Sequence, residues 1–429
     1  MKLAVFGLWH LGSVTAACTA EAGVPTVGLD FDADRIARLA RGEPPLFEPG
    51  LADLVRTEID AGTLSFSSDP AVVSQTDVVW ICHDTPVDDE DRADVAFVRG
   101  QAESLFPHLK DGAVVLVSAQ MPVGSVAELE RKFATQANGR TVSFACSPEN
   151  LRLGKALDVF RNPGRIVIGM RDERTRAALE PLLLKFCPNL IWMSVESAEM
   201  VKHGLNAFLA VSVTFTNELA TLCERVGADA AEVEKGLRSD PRIGQGAYVR
   251  AGGAFAGGTL ARDVNFISSL AKTHDVAVPV MEGILASNRA HGQWAFARLK
   301  LELSPLKGKT VGVLGLAYKP GTSALRRSPS IELIRALLNE GARVQGFDPN
   351  VSSLPDDLKA ARLGVDALAA ARGADALVVA TECAEFRALA ANDVAEAMSG
   401  RLVLDAGRFL PPAFAADKRL SLVSVGRLS

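Results

Sequence analysis

The sequence predicts an α/β fold: two Rossmann-like, doubly wound domains joined by a long central helix and a helical middle domain. Three observations predict it. Each end of the chain carries a succession of strand, glycine turn, helix and strand closing on an acid, from Lys2 to Asp30 and from Val311 to Asp348. Between them, Ala198 to Arg225 is helical in period and holds no Gly or Pro except Gly204. The chain, at 429 residues and 48% hydrophobic, is longer than one core needs and suits two or three domains. The expected divisions are 1–195, 196–300 and 301–429.

Lys2 to Phe6 reads as a short apolar strand that runs into Gly7-Leu-Trp-His-Leu-Gly12 and an Ala-rich helix to about Ala22. A second strand, Thr26 to Leu29, ends on Asp30. That acid lies 23 residues beyond Gly7, the distance at which a carboxylate can hold a ribose diol, which predicts NAD rather than NADP. Trp9 stands where the fingerprint has its second glycine, so an ordinary Rossmann-like turn without a cofactor stays open beside the dinucleotide reading.

Val78 to Cys82 and Val114 to Ser118 are continuous apolar runs and read as further parallel strands. The loops that follow, His83 to Pro86 and Ala119 to Gly124, leave the carboxyl ends of strands, where open α/β sheets bind ligands. A strand at Val142 to Ala145 leads into Cys146-Ser-Pro-Glu-Asn150, and Arg165 to Gly169 closes the first domain.

The long helix suits a domain connector or a dimer interface, and on it Lys202 and Asn206, four apart, share a face. The stretch Ala251 to Asp263 has glycines at 252, 253, 257 and 258, then Arg262 and Asp263 at the expected start of a helix. It reads either as backbone built to approach a ligand closely or as an interdomain turn. The second αβ domain begins near Leu306, with strands at Val311 to Leu314, Val344 to Phe347, Ala376 to Ala380 and Leu402 to Leu404. Its first turn has only Gly315, too few glycines for a dinucleotide, so a mononucleotide or no ligand fits better.

A net charge of −5 argues against nucleic acid or an anionic membrane as partner. Neither a signal segment nor a transmembrane span is read, and a cytoplasmic protein is expected. Six cysteines without paired short spacings argue against a zinc site or a disulfide framework, and no metal site is expected.

Taken in order, the segments resemble the UDP-glucose/GDP-mannose dehydrogenase family over nearly the whole chain. The matching stretches are Gly7 to Gly12, Glu43 to Leu51, Asp84-Thr-Pro86, Pro122-Val-Gly124, Ser147 to Gly154, Ala198 to Lys202 with Asn206, Asp240 to Gly244, the loop ending at Asp263, and Tyr318 to Thr322 with Arg326 to Pro329. The resemblance implies oxidation of a nucleotide-linked sugar with NAD as cofactor, and a homodimer. It implies cofactor contacts at Gly7, Trp9, His10, Leu11, Gly12, Asp30, Arg35, Thr85, Pro86 and Gln120. Asn150, Leu151, Arg242, Tyr248, Arg250, Gly257, Lys319 and Arg326 would meet the nucleotide sugar. Lys202 would stabilise a developing oxyanion, Asn206 would help hold it, Asp263 would position water and Glu149 would assist hydrolysis. Each also has a plainer reading: a solvated helix lysine, a capping or interface asparagine, an N-cap aspartate, a loop glutamate.

The chain departs from the family where the chemistry is hardest. Thr259 stands where the family has its catalytic cysteine, Gln120 where it has a threonine, and Asn150, Leu153, Ala324 and Arg327 replace an aromatic and acids. A thiol is readily tuned to thiolate, whereas an alcohol needs a neighbouring base. Cys146, next to the Glu149 loop, is either a relocated nucleophile or a packed strand-end thiol. Three functions follow: a two-electron oxidation or epimerisation without a thioester, a four-electron oxidation through an aldehyde hydrate, or a noncatalytic nucleotide-sugar binder.

Overall fold

The structure, a computed structural model, describes residues 1–86, 88, 93–148, 151–256 and 258–427. Two compact units divide the chain, Met1–Gly204 and Leu205–Ser429.

In the first unit the strands are β1 (Leu3–Phe6), β2 (Thr26–Leu29), β3 (Leu64–Ser67), β4 (Val78–Ile81), β5 (Val114–Val117), β6 (Ser143–Cys146), β7 (Ile166–Gly169) and β8 (Leu190–Met193). They form one sheet in the order β3-β2-β1-β4-β5-β6-β7-β8, whose order reverses at β1 and β4, the topological switch point. Pairing is parallel except between β6 and β7. Alternation along β1 serves both faces: Leu3 and Val5 pack with Val14 and Leu54, while Ala4 and Phe6 pack with Val98 and Phe106. A sheet buried on both sides explains why its central strands read as unbroken apolar runs.

Arg165 to Gly169 does not end this unit. β8 follows it, and the long helix, Val195–Val226, carries the chain into the second unit. β3 and β8, which escape a sequence reading, are the edge strands of the sheet and only partly buried, unlike the fully buried runs at its centre.

The second unit holds helices Ala230–Ser239, Thr259–Thr273, Pro279–Gly292 and Trp294–Leu303, then a parallel sheet. Its strands are β9 (Thr310–Leu314), β10 (Arg343–Phe347), β11 (Arg362–Leu363), β12 (Ala376–Val379), β13 (Leu402–Asp405) and β14 (Ser421–Val423), in the order β11-β10-β9-β12-β13-β14. The switch point recurs between β9 and β12. Among the described residues, no helix is long and apolar enough to cross a membrane.

Candidate functional site

The turn after β1 needs its two outer glycines for its own geometry. Gly7 has φ +93°, and a Cβ there would meet the His83 ring at 2.7 Å; a Cβ on Gly12 would lie 1.9 Å from the Gly7 carbonyl oxygen. Trp9, at φ −80°, makes no such demand. It leads into the helix His10–Glu21, which no side chain caps and whose first turn carries no acid. The outward amides and dipole of such a helix end favour an anion.

Asp30, buried at the end of β2, accepts from the Leu8 amide (2.7 Å), the Asp32 amide (3.0 Å) and Arg35 Nη1 (2.8 Å). Arg35 also faces Asp32 at 3.2 Å, and its Cζ lies 5.3 Å from the centre of the Trp9 ring. His10 donates to Glu48 (3.0 Å), which takes the Gly154 and Ala156 amides at 2.8 Å each, so the 43–51 segment pins the loop beyond Leu151. Burial would raise the Glu48 carboxyl, but the hydrogen bonds from His10 and the two amides outweigh it and hold it below the ordinary range. Leu11 is buried in the core, and Leu151 packs partly buried against it.

Thr85 Oγ1 donates to the Gln120 carbonyl (2.5 Å), tying together the loops that leave β4 and β5, with Pro86 exposed beside it. His83 is edge-on to Phe6 (4.5 Å between ring centres) and to Phe97 (5.9 Å), and its buried Nε2 has no hydrogen-bond partner. Burial lowers its pKa to about 4. With a glycine turn, an uncapped helix end and an acid beside them, these residues fit a dinucleotide, and Asp30 suits a ribose diol.

The start of the long helix is fastened to the 121–126 segment. Glu199 accepts from the Gly124 amide (2.6 Å) and the Val126 amide (3.0 Å), and His203 Nε2 donates to the Met121 carbonyl (3.0 Å). Burial dominates at Glu199 and raises its pKa despite the two amides. Lys202, half-buried, stands between these two anchors in the sequence of the helix.

In the second unit Asn206 Nδ2 donates to Asp263 Oδ2 (2.5 Å), and Asp263 is fully buried. Asp263 is the fifth residue of its helix, whose N-cap is Gly258, so it is not the cap. Thr259 opens that helix and is exposed.

The glycine stretch before it is not a slack turn. Asn217 accepts from the Gly252 amide (3.0 Å) and donates to the Gly253 carbonyl (3.3 Å); Asn288 accepts from the Phe255 amide and donates to its carbonyl, both at 2.9 Å; His291 donates to the Gly252 carbonyl (2.7 Å). Sequence reasoning missed these three clamps. They stand on helices far from the loop in sequence, and no local pattern marks them.

The basic residues are placed differently from one another. Arg250 donates to the Gly407 carbonyl and faces Glu382 at 3.6 Å. Arg242 is exposed and folds back on Asp240 through two hydrogen bonds of 3.0 and 2.7 Å. Tyr248 is exposed, with 59% of its surface open to solvent. Lys319 and Arg326 are exposed on the segment after β9, with Lys319 Nζ 5.4 Å from the Tyr318 ring centre. Glu149, Asn150 and Gly257 lie outside the described residues.

All six cysteines are buried. Burial pushes the Cys18 and Cys383 thiols up to about 12 and the Cys146 thiol higher still, so Cys146 is a packed strand-end thiol rather than a poised nucleophile.

Three domains of one family match this chain: the NAD binding domain at residues 1–186, the central domain at 196–290 and the UDP binding domain at 312–412. The last gives the glycine-poor second sheet a mononucleotide class. A UDP-glucose 6-dehydrogenase of Pseudomonas aeruginosa is 34% identical over 100% of this chain and 98% of its own length. One of Rhizobium meliloti is 35% identical over 100% of both. The solved UDP-glucose dehydrogenase of the hyperthermophilic archaeon Pyrobaculum islandicum superimposes with a TM-score of 0.86 at 30% identity, covering 100% of this chain and 98% of that one. With the dinucleotide turn and its acid in the first unit, these matches place the chain in the UDP-glucose/GDP-mannose dehydrogenase family, as an NAD-dependent nucleotide-sugar dehydrogenase.

Proposed function

We propose that this chain oxidises a UDP-linked hexose from alcohol to carbonyl and stops after two electrons, without a thioester step. The UDP class is supported by the UDP binding domain and by the relatives, which are UDP-glucose 6-dehydrogenases. One observation carries the two-electron limit: Thr259 takes the position that the resemblance gives to cysteine, while every cysteine is buried. A carbonyl has no hydride to give until a nucleophile adds to it. A hydroxyl titrates far above the thiol value of about 8.5 and adds only with a base beside it.

NAD, when bound, takes the hydride. The chain's own part is to bind, orient and stabilise charge. Lys202 and Asn206, one turn apart on a single helix, are the donors we assign to the substrate oxygen as it becomes an alkoxide. Asp263 takes one N–H of the Asn206 amide, which fixes that amide and leaves the other N–H for the substrate. Asp263 has no exposed surface, which counts against its activating water on an aldehyde hydrate. Arg242, Tyr248, Arg250, Lys319 and Arg326 are the side chains we assign to the nucleotide, the cations among them suiting a diphosphate.

The test follows NADH absorbance to completion with a panel of UDP-hexoses. The expected yield is about one NADH per sugar, rising to about two in Thr259→Cys. About two from the natural chain would refute the two-electron limit.

We also infer a homodimer through the long helix. Phe208, Phe215 and Leu222 recur every seventh residue and are 69%, 52% and 61% exposed, the seam a second helix of the same kind would cover. Light scattering that gives the mass of one chain at micromolar concentration would overturn this.

A further inference from the structure

We propose that Trp9 is a cofactor-positioning residue that, with Phe31 and Phe97, seats the adenosine half of NAD. The proposal rests on the NAD-binding reading of the first unit and goes beyond it.

The residue type at position 9 is not set by the turn. Gly7 and Gly12 are required by their own backbone and neighbours, whereas Trp9, at φ −80° and ψ −139°, lies outside the left-handed region that demands glycine. What a bulky residue does there is decided outside the turn. Its indole lies against Arg35, and Arg35 is held by Asp30 and Asp32. The ring is thereby fixed on the side of the ribose acid, with the indole still 40% exposed.

From Asp30 an arc of rings continues across the switch point. Phe31, the next residue, is 40% exposed and lies edge-on to Phe6 at 5.0 Å; Phe6 meets His83, and His83 meets Phe97, which is 42% exposed. Aromatic residues make up 6% of the chain, yet Trp9, Phe31 and Phe97 all stand 40 to 42% exposed on segments that leave the carboxyl ends of β1, β2 and β4, where open α/β sheets bind ligands.

The chemistry selects a flat, aromatic, neutral group beside a diol. A purine nucleoside meets that description: it stacks on aromatic faces and puts its ribose at Asp30. Arg35 lies between two carboxylates, so its charge is already spent and a 2′-phosphate would gain little from it. In this arrangement affinity that a glycine at position 9 would draw from close approach of the diphosphate is drawn instead from stacking at the adenosine end.

The test titrates the natural chain, Trp9→Phe and Trp9→Gly with NAD, ADP-ribose and nicotinamide mononucleotide, read by calorimetry and by tryptophan fluorescence. Trp9→Gly is expected to weaken NAD and ADP-ribose alike by roughly 10- to 100-fold, the loss of one base stack. Trp9→Phe should stay close to the natural chain, and nicotinamide mononucleotide should be indifferent to both changes. Equal or tighter NAD binding in Trp9→Gly would make Trp9 an obstruction and overturn the proposal. Equal weakening of nicotinamide mononucleotide would place the contact at the wrong end and overturn it too. Failure of the natural chain to bind NAD at all would instead remove the reading beneath it. Should Trp9→Gly not fold, Phe97→Ala, on a separate helix, carries the same expectation for ADP-ribose.

Discussion

Replacing Asn288 by Ala tests whether the glycine stretch is a built element. Asn288 grips both backbone groups of Phe255, amide and carbonyl, at 2.9 Å each. Phe255 in turn packs against Ala207, Ala210, Val264 and Ile284, so the clamp and a small apolar cluster hold one residue from two sides. Losing two neutral hydrogen bonds at about 1 kcal/mol each costs about 2 kcal/mol, a factor of about 30 in the local opening equilibrium. The Phe255 amide is itself the donor, so its hydrogen exchange reports the event directly. Exchange at Phe255 should accelerate about 30-fold in Asn288→Ala while amides of β9 and β12 keep their protection. Asn288→Asp should be worse than Ala, because it turns a carboxylate oxygen toward the Phe255 carbonyl. Unchanged exchange at Phe255 in both variants would refute the clamp, and with it the claim that this stretch is more than a turn.

Two further outcomes follow from single side chains. Lys202→Ala should abolish hydride transfer, with no NADH detected in long incubations, while calorimetric binding of a UDP-sugar stays largely intact; undiminished turnover would remove Lys202 from the mechanism. His83 has its folded pKa lowered by burial to about 4, from the ordinary imidazole value of 6.5. Below pH 6.5 the unfolded chain takes up a proton that the folded chain refuses, so this stabilisation is whole above pH 6.5 and is lost as pH falls toward 4, by about 3 kcal/mol at most. Denaturation of His83→Leu should show a shallower loss over that window; an identical pH slope would mean that His83 protonates freely in the folded state.

The readable parts of this fold are those in which one local rule decides. Thr26 to Leu29 coincides with β2 because a strand buried on both faces carries no charge along its run and is stopped here by the acid. The outer glycines of the first turn are legible because backbone sterics leave no other choice there. β3, β8 and β14 were not: each is an edge strand and only partly buried, without the fully buried run of the central strands. The polar ties are harder still. Glu48 and Glu199 lie inside recognisable segments, but that each collects two backbone amides from a distant segment depends on tertiary packing alone. The same holds for Asn217, Asn288 and His291, whose side chains resemble any other polar residue on a helix until the loop is laid against them.

The two sheets use one device to different ends, and this too can be measured. In each, the acid after the second strand reaches back to the turn after the first: Asp30 takes the Leu8 amide, and Asp348 takes the Leu316 and Ala317 amides at 2.8 and 3.0 Å. Asp348 further takes the Asn350 amide at 2.9 Å, and the carbonyls of Gly315, Leu316 and Ala317 receive Ser330, Ser328 and Thr381 hydroxyls. Here the turn is bonded to itself throughout, and the acid is a structural part. Asp348→Ala leaves three backbone amides without their carboxylate, and at about 1 to 2 kcal/mol for each the loss is about 3 to 6 kcal/mol of stability. NAD affinity should not change. Asp30→Ala also loses amide bonds, but it removes the carboxylate we assign to the ribose and should weaken NAD by at least about 10-fold. Denaturant titration and NAD calorimetry on both variants separate these effects. If Asp348→Ala weakened NAD as much as Asp30→Ala did, the second sheet would share in holding the dinucleotide, and the assignment of cofactor to the first and UDP to the second would fail.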